Sequence, residues 1–164
     1  MNTLTDQELK LTNSDKVAIV DRCDFKRLEK YAWRITNYGY VVTGNPKRGT
    51  FRFLHHLVVG RTLGLDADHR DRNKLNNRRN NLRIATRSQN EANKGLRRDS
   101  TTKLKGVSFF KRDGTFRAQI GFDGRKMHIG YFDTPKQAAI AYDAEATKLF
   151  GEFALTNSSL NTIK

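Results

Sequence analysis

Residues 68–83 read Asp-His-Arg-Asp-Arg-Asn-Lys-Leu-Asn-Asn-Arg-Arg-Asn-Asn-Leu-Arg, and residues 86–90 read Thr-Arg-Ser-Gln-Asn. Seven of the 21 residues from Asn73 to Asn93 are asparagine. Asparagine side chains compete with regular structure by bonding to nearby backbone, so this stretch predicts a loop that precedes a helix. The helix is predicted over 86–94, with Thr86 or Ser88 as its N-cap and Gly95 as its end.

The pair Asp68-His69 has the chemistry needed to hydrolyse a phosphodiester. Such a reaction needs a base to deprotonate water and a cation to neutralise charge on the phosphorane and the leaving oxygen. His69, with an unperturbed pKa near 6.5, is the natural base around neutral pH. Neighbouring side chains point to opposite sides of an extended chain, so Asp68 can hold a metal while His69 faces water.

The stretch from about His55 to Lys94 resembles the HNH endonucleases, in particular the homing endonucleases of phage and introns. The resemblance rests on the Asp-His pair, the Asn-rich loop that ends in Asn-Leu-Arg, and a helix asparagine at fixed spacing. It implies a ββα-metal unit in which Asn81 fixes the His69 ring through its backbone or side-chain oxygen and Asn90 is the second metal ligand. Oxygen ligands of this kind favour Mg²⁺ or Mn²⁺.

Two histidines precede this motif, and an arginine and an asparagine within it depart from the usual pattern. His55 and His56 lie in a Phe-Leu-His-His-Leu-Val segment that resembles the Leu-His-Arg-Leu preceding the motif in this branch. We expect an ancillary role for the pair, with His55 either structural or in contact with phosphate. Arg72 occupies a loop position that is usually glycine in these enzymes, and Asn76 stands where an aspartate is frequent.

The C-terminal part of the chain changes to a pattern of alternating strands. Three runs of period two, 107–111, 116–122 and 126–131, are joined by the turn signals Asp113-Gly114 and Asp123-Gly124. Pro135 then opens an alanine-rich apolar segment to Phe150. The pattern predicts a three-stranded antiparallel sheet with one helix packed on one face.

Residues 105–157 resemble AP2/ERF domains, in which such a sheet lies in the major groove of DNA. The alternation of the strands independently predicts an outward face rich in hydrogen-bond donors. That face is suited to phosphates and base edges, and Phe110 on it is suited to a thymine methyl group or a deoxyribose. We expect the DNA-binding residues to be Ser108, Phe110, Arg112, Arg117, Gln119, Lys126 and His128.

Charge independently favours a nucleic-acid partner. The chain has 31 Lys and Arg against 17 Asp and Glu, a formal charge of +14 on 164 residues. The single cysteine, Cys23, excludes an internal disulfide. No apolar run approaches the roughly 18 residues that span a bilayer, so we expect a cytoplasmic protein of a bacterium or an infected cell.

These observations predict an α+β protein: an HNH nuclease domain at 1–95, a basic linker at 96–103 and an AP2-like DNA-binding domain at 104–164. Short strands and a brief helix near 24–30 are expected within 16–57. The predicted function is metal-dependent cleavage of double-stranded DNA by a monomer, with no small-molecule substrate implied. Two alternatives stay open: a non-cleaving DNA-binding regulator with a decayed nuclease domain, and a basic RNA-binding protein.

Overall fold

A computed structural model of the chain describes residues 6–163. The chain divides into two compact units, the first ending at Ala85 and the second beginning at Thr86. Both units mix helices with antiparallel strands, which confirms the predicted α+β class. Within the described residues, no helix combines the length and the apolar character needed to cross a bilayer.

The N-terminal unit consists of short strands packed around two short helices. The bounds are β1 Asp6–Leu11, β2 Ser14–Asp21, α1 Arg22–Leu28, β3 Arg34–Ile35, β4 Val41–Thr43, β5 Arg52–Phe53, α2 Leu54–Val59, β6 Asp66–His69 and β7 Leu82–Ala85. A hairpin of β1 and β2 leads into α1, and a small sheet of order β3-β4-β5 leads into α2. A second hairpin, β6 with β7, closes the unit.

The core of this unit forms around Trp33. The indole is buried and its Nε1 donates to the Leu28 carbonyl at 2.9 Å, which satisfies the one polar group of the ring. Leu28 and Leu54 are buried in the same cluster, at the end of α1 and the start of α2. The apolar run at 51–54 is therefore split, because Leu54 opens a helix instead of extending a strand.

The C-terminal unit is a three-stranded sheet with two helices. Its bounds are α3 Arg87–Asn93, β8 Val107–Phe110, β9 Thr115–Phe122, β10 Arg125–Phe132 and α4 Pro135–Phe150. The strand order is β10-β9-β8, with all pairs antiparallel. Thr134 caps α4 through a reciprocal pair of bonds with Gln137, and Ala138 and Ala139 are fully buried, so this helix lies close against the sheet.

A glycine just before β8 has a strict packing role. Gly106 has a φ of +73°, and a Cβ atom built there would lie 2.0 Å from the Tyr142 ring of α4. Any other residue would meet both the strained backbone conformation and this clash. The close approach of helix and chain therefore depends on the absence of a side chain at this position.

Helix α3 packs with the C-terminal unit. The boundary between the two compact units, after Ala85, therefore precedes residue 95, where the nuclease domain was predicted to end. Ala92 is buried in the same apolar cluster as Ile120 and Phe150. The backbone of Leu155 donates to the Ala92 carbonyl at 3.2 Å, and the backbone of Asp123 donates to Ser88 Oγ at 3.1 Å. The local motif shows only that α3 follows β7 along the chain, so it did not indicate these long-range bonds and contacts.

Candidate active site

The β6–β7 hairpin and the loop between its strands carry the candidate active site of the N-terminal unit. His69 pairs with Leu82 across the hairpin, and Asp68 pairs with Arg83. The loop is held from the N-terminal hairpin: Ile19 of β2 donates to Leu75 and accepts from Asn77 at 2.7 and 2.8 Å. The asparagine-rich loop therefore has a fixed backbone although it contains no strand or helix.

His69 is buried, with 4% of its surface exposed, and it is oriented by Asn77. The amide nitrogen of Asn77 donates to the Lys74 carbonyl at 3.1 Å, so Oδ1 is the amide atom that faces the ring. This oxygen lies 3.3 Å from His69 Nε2. Because an amide oxygen only accepts, Nε2 carries the proton and Nδ1 carries the lone pair of the neutral ring.

The protonation state of His69 suits a base. Burial lowers the pKa of His69 below its usual value of 6.5, against smaller raising effects of the Asn77 hydrogen bond and of the Asp71 and Asp68 carboxylates. The ring is therefore neutral near pH 7 and can accept a proton. The neighbouring charge of Lys74 also lowers this pKa.

Asp68 is held by an arginine on the opposite strand. Nε and Nη2 of Arg83 each lie 2.8 Å from Oδ2 of Asp68, and both side chains are buried. The carboxylate predicted to bind metal is thus neutralised and fixed by a guanidinium. The sequence had placed Arg83 in the motif without giving it a role, although its cross-strand register with Asp68 follows from the hairpin.

The structure places Asn81 at the base of the loop, and its predicted role in fixing the His69 ring stays a prediction. The side-chain oxygen of Asn81 accepts from the backbone of Asp71 at 3.1 Å, and its amide nitrogen donates to Asp71 Oδ1 at 2.9 Å and to the Asn76 carbonyl at 2.7 Å. Its backbone carbonyl accepts from Arg70 at 2.8 Å. Asn81 therefore closes the base of the loop, while Asn77 supplies the side-chain oxygen at the His69 ring.

The loop also contains a shared carboxylate and a strained residue. Burial alone raises the pKa of Asp71, but hydrogen bonds from Asn76, Asn73 and Asn81 lower it overall, so this carboxylate is ionised and binds the loop together.

Arg72, at the position where glycine is usual, has a φ of 64°. A left-handed conformation explains the preference for glycine there and costs arginine about 1 kcal/mol.

The histidine pair of α2 lies beside the His69 ring. The His55 ring is 5.4 Å from that of His69 and stacks on Phe53 at 5.2 Å, measured between centroids. Burial, with smaller effects of the His56 and His69 charges, lowers the pKa of His55 to about 3. His55 is therefore uncharged near pH 7 and packs against the Phe53 and His69 rings, and its predicted ancillary role stays a prediction.

Tyr40 and Lys74 are neighbours of the site that the motif did not indicate. Lys74 Nζ lies 4.1 Å from the centroid of the Tyr40 ring and donates to the Tyr38 carbonyl at 2.7 Å. The Tyr40 ring is 6.4 Å from that of His69. The place of Tyr40 beside His69 depends on the β3-β4-β5 sheet, which lies outside the motif.

The predicted second metal ligand, Asn90, lies on α3 in the C-terminal unit. Thr86, one of the two predicted N-caps, caps this helix and forms a reciprocal pair of bonds with Gln89. Asn90 N donates to the Thr86 carbonyl at 2.9 Å. The role of Asn90 as a metal ligand stays a prediction. Among residues 6–163, no three His, Cys, Asp or Glu side chains are grouped to hold a metal ion.

The sheet of the C-terminal unit presents the predicted DNA-binding residues on one face. Ala118 and Ile120 of β9 are buried beneath α4, which leaves Arg117 and Gln119 on the other face. The remaining outward positions follow from the strand register and from the turn after β8: Ser108, Phe110, Arg112, Lys126 and His128. Met127 pairs with the inward-facing Ile120 but is partly exposed and lies outside the core clusters.

Tyr131 joins this outward face although strict alternation from His128 would turn it inward. The register of β10 shifts between His128 and Gly130, so that Tyr131 pairs with Arg117 and Ile129 packs in the core. One extra residue in a strand inverts the alternation beyond it. The bulge is the reason that the sequence pattern did not indicate Tyr131.

Comparisons with known proteins agree with the geometry of the first unit. The HNH endonuclease family matches residues 52–92. An uncharacterized HNH endonuclease of Acanthamoeba polyphaga mimivirus is 35% identical over 133 residues, which cover 79% of this chain and 68% of the relative. No solved structure matches the chain significantly.

Two plant proteins are similar to shorter parts of the chain. APETALA2-like protein 2 of Oryza sativa is 36% identical over 64 residues, 39% of this chain and 15% of the relative. An AP2-like ethylene-responsive transcription factor of Arabidopsis thaliana is 37% identical over 54 residues, 33% of this chain and 11% of the relative. The hairpin with its Asp-His pair, the asparagine loop and the match to the mimivirus protein together show that the chain belongs to the HNH endonuclease family.

Proposed function

We propose that this chain hydrolyses phosphodiester bonds of double-stranded DNA, with His69 as the general base and a divalent cation at Asp68. The observation that carries the proposal is the buried, neutral His69 ring whose Nε2 is held by Asn77. A ring of this tautomer carries its lone pair on Nδ1, which is the nitrogen that can take up a proton.

The proton transfer follows from this geometry. Nδ1 of His69 takes a proton from the attacking water, and the ring becomes an imidazolium. Asn77 Oδ1 accepts the hydrogen bond from Nε2–H before and during the reaction, so it stabilises the positive charge that forms on the ring. Burial strengthens this hydrogen bond, because little water competes for either atom.

The donors present fit a hard divalent cation such as Mg²⁺ or Mn²⁺. Asp68 would hold it through a carboxylate oxygen, and the family resemblance adds Asn90 through an amide oxygen. When bound, the cation neutralises charge on the phosphate and on the leaving oxygen. Because Arg83 offsets the charge of Asp68, we expect cation affinity to be weak without DNA, whose phosphates add further oxygens.

Substrate selection is assigned to the C-terminal unit. The chain carries a formal charge of +14, which attracts DNA without regard to sequence. The sheet face with Arg117, Gln119 and Lys126 presents groups that can bond to base edges in a major groove. The activity that combines these parts is that of a site-directed endonuclease of the homing type.

The Asp68–Arg83 pair favours a second candidate, a DNA-binding regulator that has lost cleavage, since a neutralised carboxylate is a poorer cation ligand. One experiment separates the two. The full chain is incubated with supercoiled plasmid in Mg²⁺, in Mn²⁺ and in EDTA, and nicked product is measured. Nicking that requires the divalent ion, and that is lost in Asp68→Ala, supports the enzyme.

DNA binding without nicking in either ion would instead support the regulator. Calorimetric titration of Mn²⁺ into wild type, Asp68→Ala and Asn90→Ala, each with bound DNA duplex, tests the metal ligands separately. Unchanged Mn²⁺ affinity in both variants would place the ligands elsewhere in the chain.

A further inference from the structure

A row of aromatic side chains crosses the outward face of the C-terminal sheet. The Phe110 ring lies 5.2 Å from the Tyr131 ring, which lies 4.7 Å from His128, measured between centroids. Tyr131 is 49% exposed, although its strand is paired and the other sheet face packs on α4. The row thus presents apolar surface to solvent on a face that is otherwise polar.

Positively charged side chains lie next to this row, so a negatively charged partner would be complementary to it. The Arg112 and Arg117 guanidinium carbons lie 5.6 and 6.0 Å from the centroid of the Phe110 ring. Nε of Arg117 is buried and has no hydrogen-bond partner among the described residues. Lys126 extends the positive surface beside His128 on β10. A polyanion with apolar groups between its charges is complementary to such a surface.

We propose that the Phe110–Tyr131–His128 row contacts thymine methyl groups in the major groove of duplex DNA, so that the enzyme prefers sites containing thymine at those positions. This proposal rests on the proposed function, in which the sheet face selects the cleavage site. The thymine 5-methyl is the apolar group that the major groove displays, and apolar side chains read it by contact.

The geometry favours a duplex over a single strand. Stacking platforms for single strands need an open ring face, but the guanidinium groups of Arg112 and Arg117 lie over the ring of Phe110. The rings are also tilted by 46° and 50° from one another, so they offer no common plane to successive bases. With centroid gaps of 5.2 and 4.7 Å, the row spans at most about three base-pair steps of roughly 3.4 Å.

The test removes the methyl group and leaves the hydrogen-bonding edges of the base unchanged. The full chain is first used in EDTA, which prevents cleavage, to select bound sequences from a random duplex library. The enriched duplex is then synthesised with deoxyuridine in place of each thymidine in turn, and Kd is measured for every duplex. Burial of one methyl group corresponds to about fourfold in Kd, so wild type should bind about fourfold more weakly at one to three positions.

The variants assign this effect to the row. Phe110→Ala and Tyr131→Ala should bind the thymidine and deoxyuridine duplexes equally at the corresponding positions, whereas Tyr131→Phe should keep the wild-type ratio. Lys126→Ala should weaken binding to both duplexes and reduce its salt dependence, with the ratio unchanged. Circular dichroism melts are recorded for each variant, and Tyr131→Phe provides the ring-preserving comparison if Tyr131→Ala is destabilised.

Equal Kd values for thymidine and deoxyuridine at all positions in wild type would overturn the proposal, as would an unchanged ratio in both alanine variants. Equal competition by the single strand of the enriched sequence would also overturn it, in favour of base stacking. Plasmid nicking is measured in parallel. Nicking with no methyl effect would overturn this proposal alone, whereas neither enrichment nor nicking would overturn the proposed function as well.

Discussion

Replacement of Asn77 by alanine tests whether the orientation of His69 matters for cleavage. The substitution removes the oxygen that lies 3.3 Å from His69 Nε2 and leaves the backbone bond from Asn77 to Ile19 in place. A hydrogen bond to a charged group contributes about 1.5–3 kcal/mol, and the ring is charged during the reaction. We therefore expect single-turnover nicking to fall by about 10- to 150-fold.

The assay is nicking of supercoiled plasmid at saturating protein and Mg²⁺ or Mn²⁺, with DNA affinity measured in EDTA. Asn80→Ala is the matched control, since Asn80 is an exposed asparagine of the same loop. The double variant with His69→Ala should be no slower than His69→Ala alone, because Asn77 acts through the ring. Wild-type nicking by a folded Asn77→Ala, or full additivity in the double variant, would refute the reasoning.

Two further predictions concern buried charges. Asp24 is buried and accepts two bonds of 2.8 Å from Arg79, so Asp24→Asn should lower the free energy of unfolding by about 2 kcal/mol at pH 7 in denaturant titrations. The pKa of Asp24 is lowered by folding, so the difference from wild type should persist above the unfolded value of 3.8 and shrink as the pH falls below it; a difference that grows in acid would contradict this. Arg83→Gln leaves Asp68 buried without its partner and should cost about 3–5 kcal/mol of stability, with the exposed Arg87→Gln as the control; equal melting temperatures for both variants would show that the buried pair is dispensable.

The parts of the fold that local sequence predicts are those set by neighbouring residues. The Thr-x-x-Gln spacing at Thr86 and at Thr134 predicts the start of a helix, because each capping box is closed within four residues. Trp33 as a core residue follows from its size and apolarity. The hairpin position of the Asp68-His69 pair follows from the family resemblance and agrees with the register.

The features that the sequence did not predict depend on long-range contacts. Which asparagine of the loop faces His69 depends on the bond between Asn77 and Ile19, which are far apart in sequence, and no local pattern distinguishes Asn77 from Asn81. Tyr131 faces outward because of a bulge, which period-two alternation does not contain. The burial of Ala92 with the C-terminal unit depends on residues that follow it by more than twenty positions.

The central claim is that the buried, neutral His69 is the base of a divalent-ion-dependent DNA hydrolysis. The most direct measurement compares single-turnover plasmid nicking by wild type and His69→Ala in Mg²⁺ or Mn²⁺, with folding checked by circular dichroism and DNA affinity measured in EDTA. Because general base catalysis contributes about 10²–10⁴, the account predicts a loss of at least 10² in rate with DNA affinity and folding retained. Nicking by His69→Ala at the wild-type rate would contradict it.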